Sequence, residues 1–183
     1  MSVLSRWYIL RRHRLGIGVH SPFAYRVVRD VIYGKGYYYT VLRMRRLTAG
    51  YPKRTRRAYE VMFRLIARLA PEGVRISDGV EPQVEELVRM ADMRPVMGRG
   101  LGGYRHGLHV LSICDATDLR QSIPEGMLQG GNMAVVRGMQ YVPGTFERLR
   151  GAMRGGWLFA DRRMAIAVSD DSEPLNVIEV KMT

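Results

Sequence analysis

The chain is 183 residues long, 46% hydrophobic and 25% charged, with a formal net charge of +12. That size suits one buried core and leaves too little chain for two full-sized domains. A single cysteine excludes an internal disulfide framework and a four-cysteine zinc cage, and no stretch nears the ~18 apolar residues of a membrane span.

At the N-terminus a short apolar run, Trp7 to Leu10, lies among Arg6, Arg11, Arg12 and Arg14. It is too short for the hydrophobic region of a signal peptide, so the expectation is a cytoplasmic protein in a reducing compartment. The charge is lopsided. Residues 1–70 hold sixteen basic and two acidic residues; residues 71–183 hold thirteen and fifteen. A basic segment joined to a near-neutral body points to an acidic partner.

Ser21-Pro22 opens the first clear helix, because Ser can accept an orphan amide and Pro suits the first helical position. Phe23, Val27, Val28, Val31 and Ile32 fall on one face, and Gly34 and Gly36 end it. Residues 37–54, with Tyr37, Tyr38, Tyr39 and several arginines, show no clear period. A second helix is expected from about Thr55 to Ala70. Its apolar face is Ala58, Met62, Leu65, Ile66 and Leu69, with Arg57, Glu60, Arg64 and Arg68 as its wet stripe. From Pro71 the texture changes to short apolar runs between Gly, Asp and Pro. Strands are expected at Val74–Ser77, Arg94–Met97, Leu108–Cys114, Asn132–Arg137, Trp157–Phe159, Met164–Val168 and Asn176–Met182. Helices fit Pro82–Ala91 and Thr145–Met153. Strands alternating with helices imply an α/β fold with a mostly parallel sheet. The short polar loop Ser169–Pro174 implies that the last two strands pair antiparallel. The division expected is a basic helical cap over 1–70 and an α/β domain over 71–183.

The stretch from Arg14 to the turn His20-Ser21-Pro22-Phe23, followed by an amphipathic helix, resembles the N-terminal cap of a bacterial group of class I S-adenosylmethionine-dependent methyltransferases. Leu108–Asp115 is similar to that family's fourth core strand ending in an acid. Pro124–Val136 is similar to its helix end, glycine turn and fifth strand, and residues 157–182 to its closing hairpin. The resemblance covers roughly 12–33 and 108–182. It implies a truncated Rossmann-like sheet with a C-terminal antiparallel hairpin under an N-terminal helical cap. Asp78, Gly79 and Asp115 are the positions it places nearest the cofactor.

The departures bear on function. The resemblance calls for an acid and a glycine-rich turn after the first strand, where the cofactor's methionyl part meets the backbone. Here Ile76 to Val84 keeps only Gly79. Val80 and Glu81 add bulk where glycine would leave space, and Pro82 removes a donor amide from a helix start. Glu81, Glu85 and Glu86 add negative charge; one like charge at ~4 Å costs about 4 kcal/mol at an effective dielectric near 20. After the fifth strand, where metal-dependent relatives carry paired acids, the sequence reads Val136-Arg137-Gly138, and a guanidinium repels a cation.

Other constellations are weaker. Gly98 to Gly103 spells G-x-G-x-x-G, but no helix pattern follows it. His106, His109, Cys114 and Asp115 match no common metal spacing, and residues 109 and 114 of one strand face opposite ways. Eight of ten tyrosines lie in the first seventy residues, where they either pack the cap onto the sheet or stack on unpaired bases.

Three readings follow. The first is a methyltransferase-like protein that has lost S-adenosylmethionine binding and catalysis, acting by protein partner binding or self-association. The second is an active methyltransferase with an atypical cofactor site. The third is a module for RNA or another polyanion, working through Arg43, Arg45, Arg46, Lys53, Arg54, Arg56 and Arg57.

Overall fold

The computed structural model describes residues 10–13, 18–35, 38–77, 80–92, 96–98, 107–112, 123 and 126–183. Ser21 caps helix α1 (Pro22–Arg26), its Oγ accepting the Ala24 amide at 3.3 Å. The helix then widens into a π-helical segment, Val27–Ile32, in which the Tyr33 amide reaches back five residues to the Val28 carbonyl. Gly34 follows because the Asp30 carbonyl lies where any Cβ would stand.

Helix α2 (Tyr38–Leu47) occupies the stretch that showed no period. Among its described side chains Leu42, Arg43, Arg45 and Arg46 are exposed and Met44 is buried. Four exposed positions in the five residues 42–46 carry a weak apolar rhythm. Helix α3 (Lys53–Leu69) closes at Ala70, which is left-handed with φ 46°.

Strands β1 (Gly73–Ile76), β2 (Val96–Gly98), β3 (Leu108–Ser112), β4 (Met133–Arg137), β5 (Gly156–Ala160), β6 (Met164–Ser169) and β7 (Asn176–Glu179) form one sheet in the order β2-β1-β3-β4-β6-β5-β7. Helix α4 (Gln83–Ala91) follows β1, and helix α5 (Thr145–Ala152) follows β4. The first four strands in that order are parallel; β6 runs antiparallel to both of its neighbours, and β7 is parallel to β5. The fold is therefore α/β with a mixed sheet. The expected pairing of the last two strands is corrected: β6 has β4 on one side and β5 on the other, so its hydrogen-bonding edges are filled. The chain after Ser169 reverses direction as expected but passes β5 and pairs on its outer edge.

Side-chain alternation along each strand sorts the core into two layers. Val110, Val135, Ile166, Phe159 and Ile178 lie in register on the face covered by α1, α3 and α4. Ala134, Ala167 and Leu158 form the opposite row, with Met127, Leu128 and α5's Leu149 in the same cluster. The larger cluster joins residues 24–66 to the sheet without interruption. Among the described residues no helix is long and apolar enough to cross a membrane.

Arg64 departs from the wet stripe assigned to it. It is 8% exposed, and its Nε donates to the Val31 carbonyl at 2.6 Å while Nη2 donates to Ile32 at 3.4 Å. Glu60 stands 3.9 Å from Nη1. The guanidinium thus satisfies two carbonyls at the π-helix end, where a cation also suits the helix dipole. Arg64→Leu is expected to lower unfolding free energy by about 2 kcal/mol in urea titrations, since it strands two buried acceptors. Arg64→Lys should restore part of this loss.

Candidate functional site

In open α/β sheets ligands settle outside the carboxyl ends of the strands, where the connections turn to opposite sides of the sheet. Here that point lies between β1 and β3. The Ser77 amide donates to the Val110 carbonyl at 3.0 Å, and the Ser112 amide reaches Ser77 Oγ at 3.4 Å. The Val80 amide donates to the Ser77 carbonyl at 3.1 Å.

The residue that dominates this crevice is Arg137, the last of β4. It points to the helix-covered side and makes a two-pronged salt bridge with Glu81: Nη1 to Oε2 at 2.7 Å, Nη2 to Oε1 at 2.8 Å. The side chains are 13% and 30% exposed respectively. Above the guanidinium lies the Tyr59 ring of α3, its centroid 4.9 Å from Cζ. Tyr51 meets Tyr59 edge-on at 5.4 Å and donates its hydroxyl to Gln83 Oε1 at 2.8 Å. The end of β4, the start of α4 and the first half of α3 are thus locked together by planar groups matched in geometry and charge.

Burial alone would raise the Glu81 carboxyl. The Arg137 hydrogen bonds, its own backbone amide and the guanidinium charge outweigh that and hold it below the usual carboxylate range. Burial likewise works against the charge on Arg137, but Glu81 and Tyr59 more than compensate and raise it. Burial drives the Tyr59 phenol well above its ordinary value. Its hydroxyl lies close enough to feel the pair but makes no hydrogen bond of acceptable geometry among the described residues.

The pair corrects one expectation. Glu81 does not present a free negative charge to the crevice, because Arg137 neutralises it; what remains there is bulk. The start of α4 is also occupied: the Val84 and Glu85 amides return to the Glu81 and Pro82 carbonyls at 3.0 and 3.1 Å, turning inward the donors that a helix start offers an anion. A cavity of about 270 Å³ remains beside the pair, lined by Ser112, Gly138 and Thr55 among others.

Asp78, Gly79 and Asp115, the positions expected nearest a cofactor, lie outside the described residues, as do His106 and Cys114. Among the described residues no group of three His, Cys, Asp or Glu side chains could hold a metal ion. His109 is 6% exposed in β3, and among the described residues its Nδ1 has no partner. The seven basic candidates divide between two helices. Arg43, Arg45 and Arg46 are exposed on α2, with Arg43 3.7 Å from Glu86. Arg56 is half-buried, whereas Lys53, Arg54 and Arg57 line a groove against the C-terminal strand. Sequence reasoning singled out Glu81 and Arg137 separately, but nothing in a spacing of 56 residues marks them as partners. Tyr59 was readable only as one tyrosine among eight. No family model, curated protein or solved structure matches the chain.

Two outcomes follow. Arg137→Met alone should cost about 2–3 kcal/mol, because it strands a half-buried carboxylate, whereas Arg137→Met with Glu81→Leu should recover most of that loss; chemical denaturation of the three proteins measures it. Burial, reinforced by the nearby Arg75 charge, pushes His109 down to about 4. The unfolded chain therefore takes up a proton near pH 6.5 that the native state refuses. Stability should fall by about 2–3 kcal/mol as pH drops from ~6.5 to ~4. Thermal unfolding of His109→Leu should lose this slope. The further acid loss as Glu81 protonates through its depressed value should remain.

Proposed function

We propose that this chain is a methyltransferase-like protein that no longer binds S-adenosylmethionine and acts through its surfaces. The sheet order supports the Rossmann-like reading: strands diverge from β1 in both directions, and an antiparallel β6 is inserted near one edge. The His20-Ser21-Pro22-Phe23 turn, with Ser21 capping α1, supports the resemblance of the cap.

The observation that carries the loss of function is the Arg137–Glu81 salt bridge at the strand ends. A methyl donor with a charged amino-acid tail needs open backbone and free amides there. This chain supplies an internally satisfied ion pair roofed by Tyr59, and a helix start whose Val84 and Glu85 amides are already bonded. A ligand would have to break the pair, leaving two desolvated charges without partners.

Isothermal titration calorimetry with S-adenosylmethionine and with its demethylated product tests this directly. The expected result is no heat of binding at millimolar ligand. Binding at micromolar ligand would overturn the proposal and favour the active enzyme with an atypical site; sensitivity to Asp78→Ala would then locate the cofactor.

A further inference from the structure

Beside the crevice, and continuous with it through shared lining residues, runs a second concavity of about 610 Å³ between the first turns of α3 and the C-terminal strand. Six cations line it: Lys53, Arg54, Arg57, Arg162, Arg163 and Lys181. Among the described residues none of the six closes an ion pair with a carboxylate. Two acidic residues share the lining. The Asp161 side chain is turned to the backbone: Oδ1 accepts the amides of Arg163 and Met164, and Oδ2 those of Met182 and Thr183. It clamps both walls that carry Arg162, Arg163 and Lys181, and so serves to hold cations in place. Arg57 crosses the groove and donates to the Lys181 carbonyl at 3.1 Å. The second acid, Glu179, leaves the groove strongly positive.

The cations of α3 sit where the helix itself disfavours them. Lys53 and Arg54 begin the helix, its first turn has no acid, and no side chain caps it. Positive side chains there add to the positive end of the dipole, a local conflict that a bound polyanion relieves. Arg54, Arg163 and Thr183 also line the neighbouring cavity at the mouth of the crevice, and Tyr141 stands there, 68% exposed. Tyr141 follows the Gly138 turn, where the Met139 amide bonds the Arg163 carbonyl at 3.3 Å, so the ring and the cationic turn are held side by side. An exposed aromatic next to a cationic channel is the arrangement that stacks an unpaired base while its phosphates are neutralised.

We infer that this groove binds single-stranded nucleic acid, its phosphodiester backbone lying along Lys53, Arg54, Arg162 and Arg163 and a base resting on Tyr141. The site uses residues on both sides of the fold's cap-to-sheet junction. An acidic peptide would meet the same charges but would gain nothing from the aromatic, and a duplex would keep its bases from it.

Fluorescence anisotropy with the full chain and a labelled single-stranded oligonucleotide of about ten nucleotides, in RNA and DNA forms, provides the test. Binding should weaken steeply with salt. Arg54→Ala with Arg163→Ala should flatten the log–log slope by about 1.4, from two lost phosphate contacts on a single strand. Tyr141→Ala, at a side chain that is itself exposed, should weaken binding at least about fivefold and leave the salt slope unchanged. Arg45→Ala with Arg46→Ala on α2 should have little effect, and circular dichroism should show every variant folded. Several results would each overturn the inference: no binding at low salt, equal affinity for a duplex or for polyglutamate, an unaffected Tyr141→Ala, or an Arg45–Arg46 variant as weak as the groove variant.

Discussion

One guanidinium determines how the upper end of this molecule is built. Arg137 lies where β4 ends, where an α/β sheet ordinarily keeps open space for a ligand. A cation brought there from water needs a carboxylate, correct geometry and a face to stack on. Glu81 supplies the first two and Tyr59 the third. Each partner comes from a different element, so satisfying one charge fixes α3 and the start of α4 relative to the sheet. Glu81 and Arg137 also line the cavity of about 270 Å³ at the strand ends.

The pair also explains why the cap and the sheet form a continuous core. Tyr59 is fully buried against the pair, Tyr51 bridges it to Gln83, and the apolar face of α3 continues beneath through Met62, Leu65 and Ile66. Arg64, one helical turn further on, repeats the device in another direction by holding the end of the π-helix. Both buried arginines act as connectors between elements distant in sequence. One group of surface cations gathers at the start of α3 and on the β5–β6 turn, where among the described residues none closes an ion pair with a carboxylate.

Much of this fold was legible in the sequence because strands that bury both faces read as short apolar runs. Helices with a strong stripe, such as α3 and α4, read as 3.6-residue patterns. The parts that were not legible have specific causes. Helix α2 escaped because its residues 42–46 form no apolar stripe: Met44 is buried between exposed Leu42, Arg43, Arg45 and Arg46. Arg64 was placed in water because charge predicts exposure on average, and only the three-dimensional position of the Val31 and Ile32 carbonyls makes an exception of it. The pairing of β7 could not be foreseen from its short connection, since loop length fixes direction but not which edge is free. In the site, Glu81 and Arg137 were each visible as departures from an open ligand crevice; that they cancel one another follows from topology.

The central claim is that the Arg137 guanidinium is permanently held by Glu81 beneath Tyr59. Side-chain nitrogen–proton NMR of this arginine reads that state directly. A two-pronged bridge under an aromatic ring predicts separate, slowly exchanging Nη–H signals, shifted upfield by the ring, collapsed by Glu81→Gln and unmoved by added S-adenosylmethionine. A single averaged signal at the position of a free arginine, or resolved signals that shift as the ligand is titrated, would contradict the account.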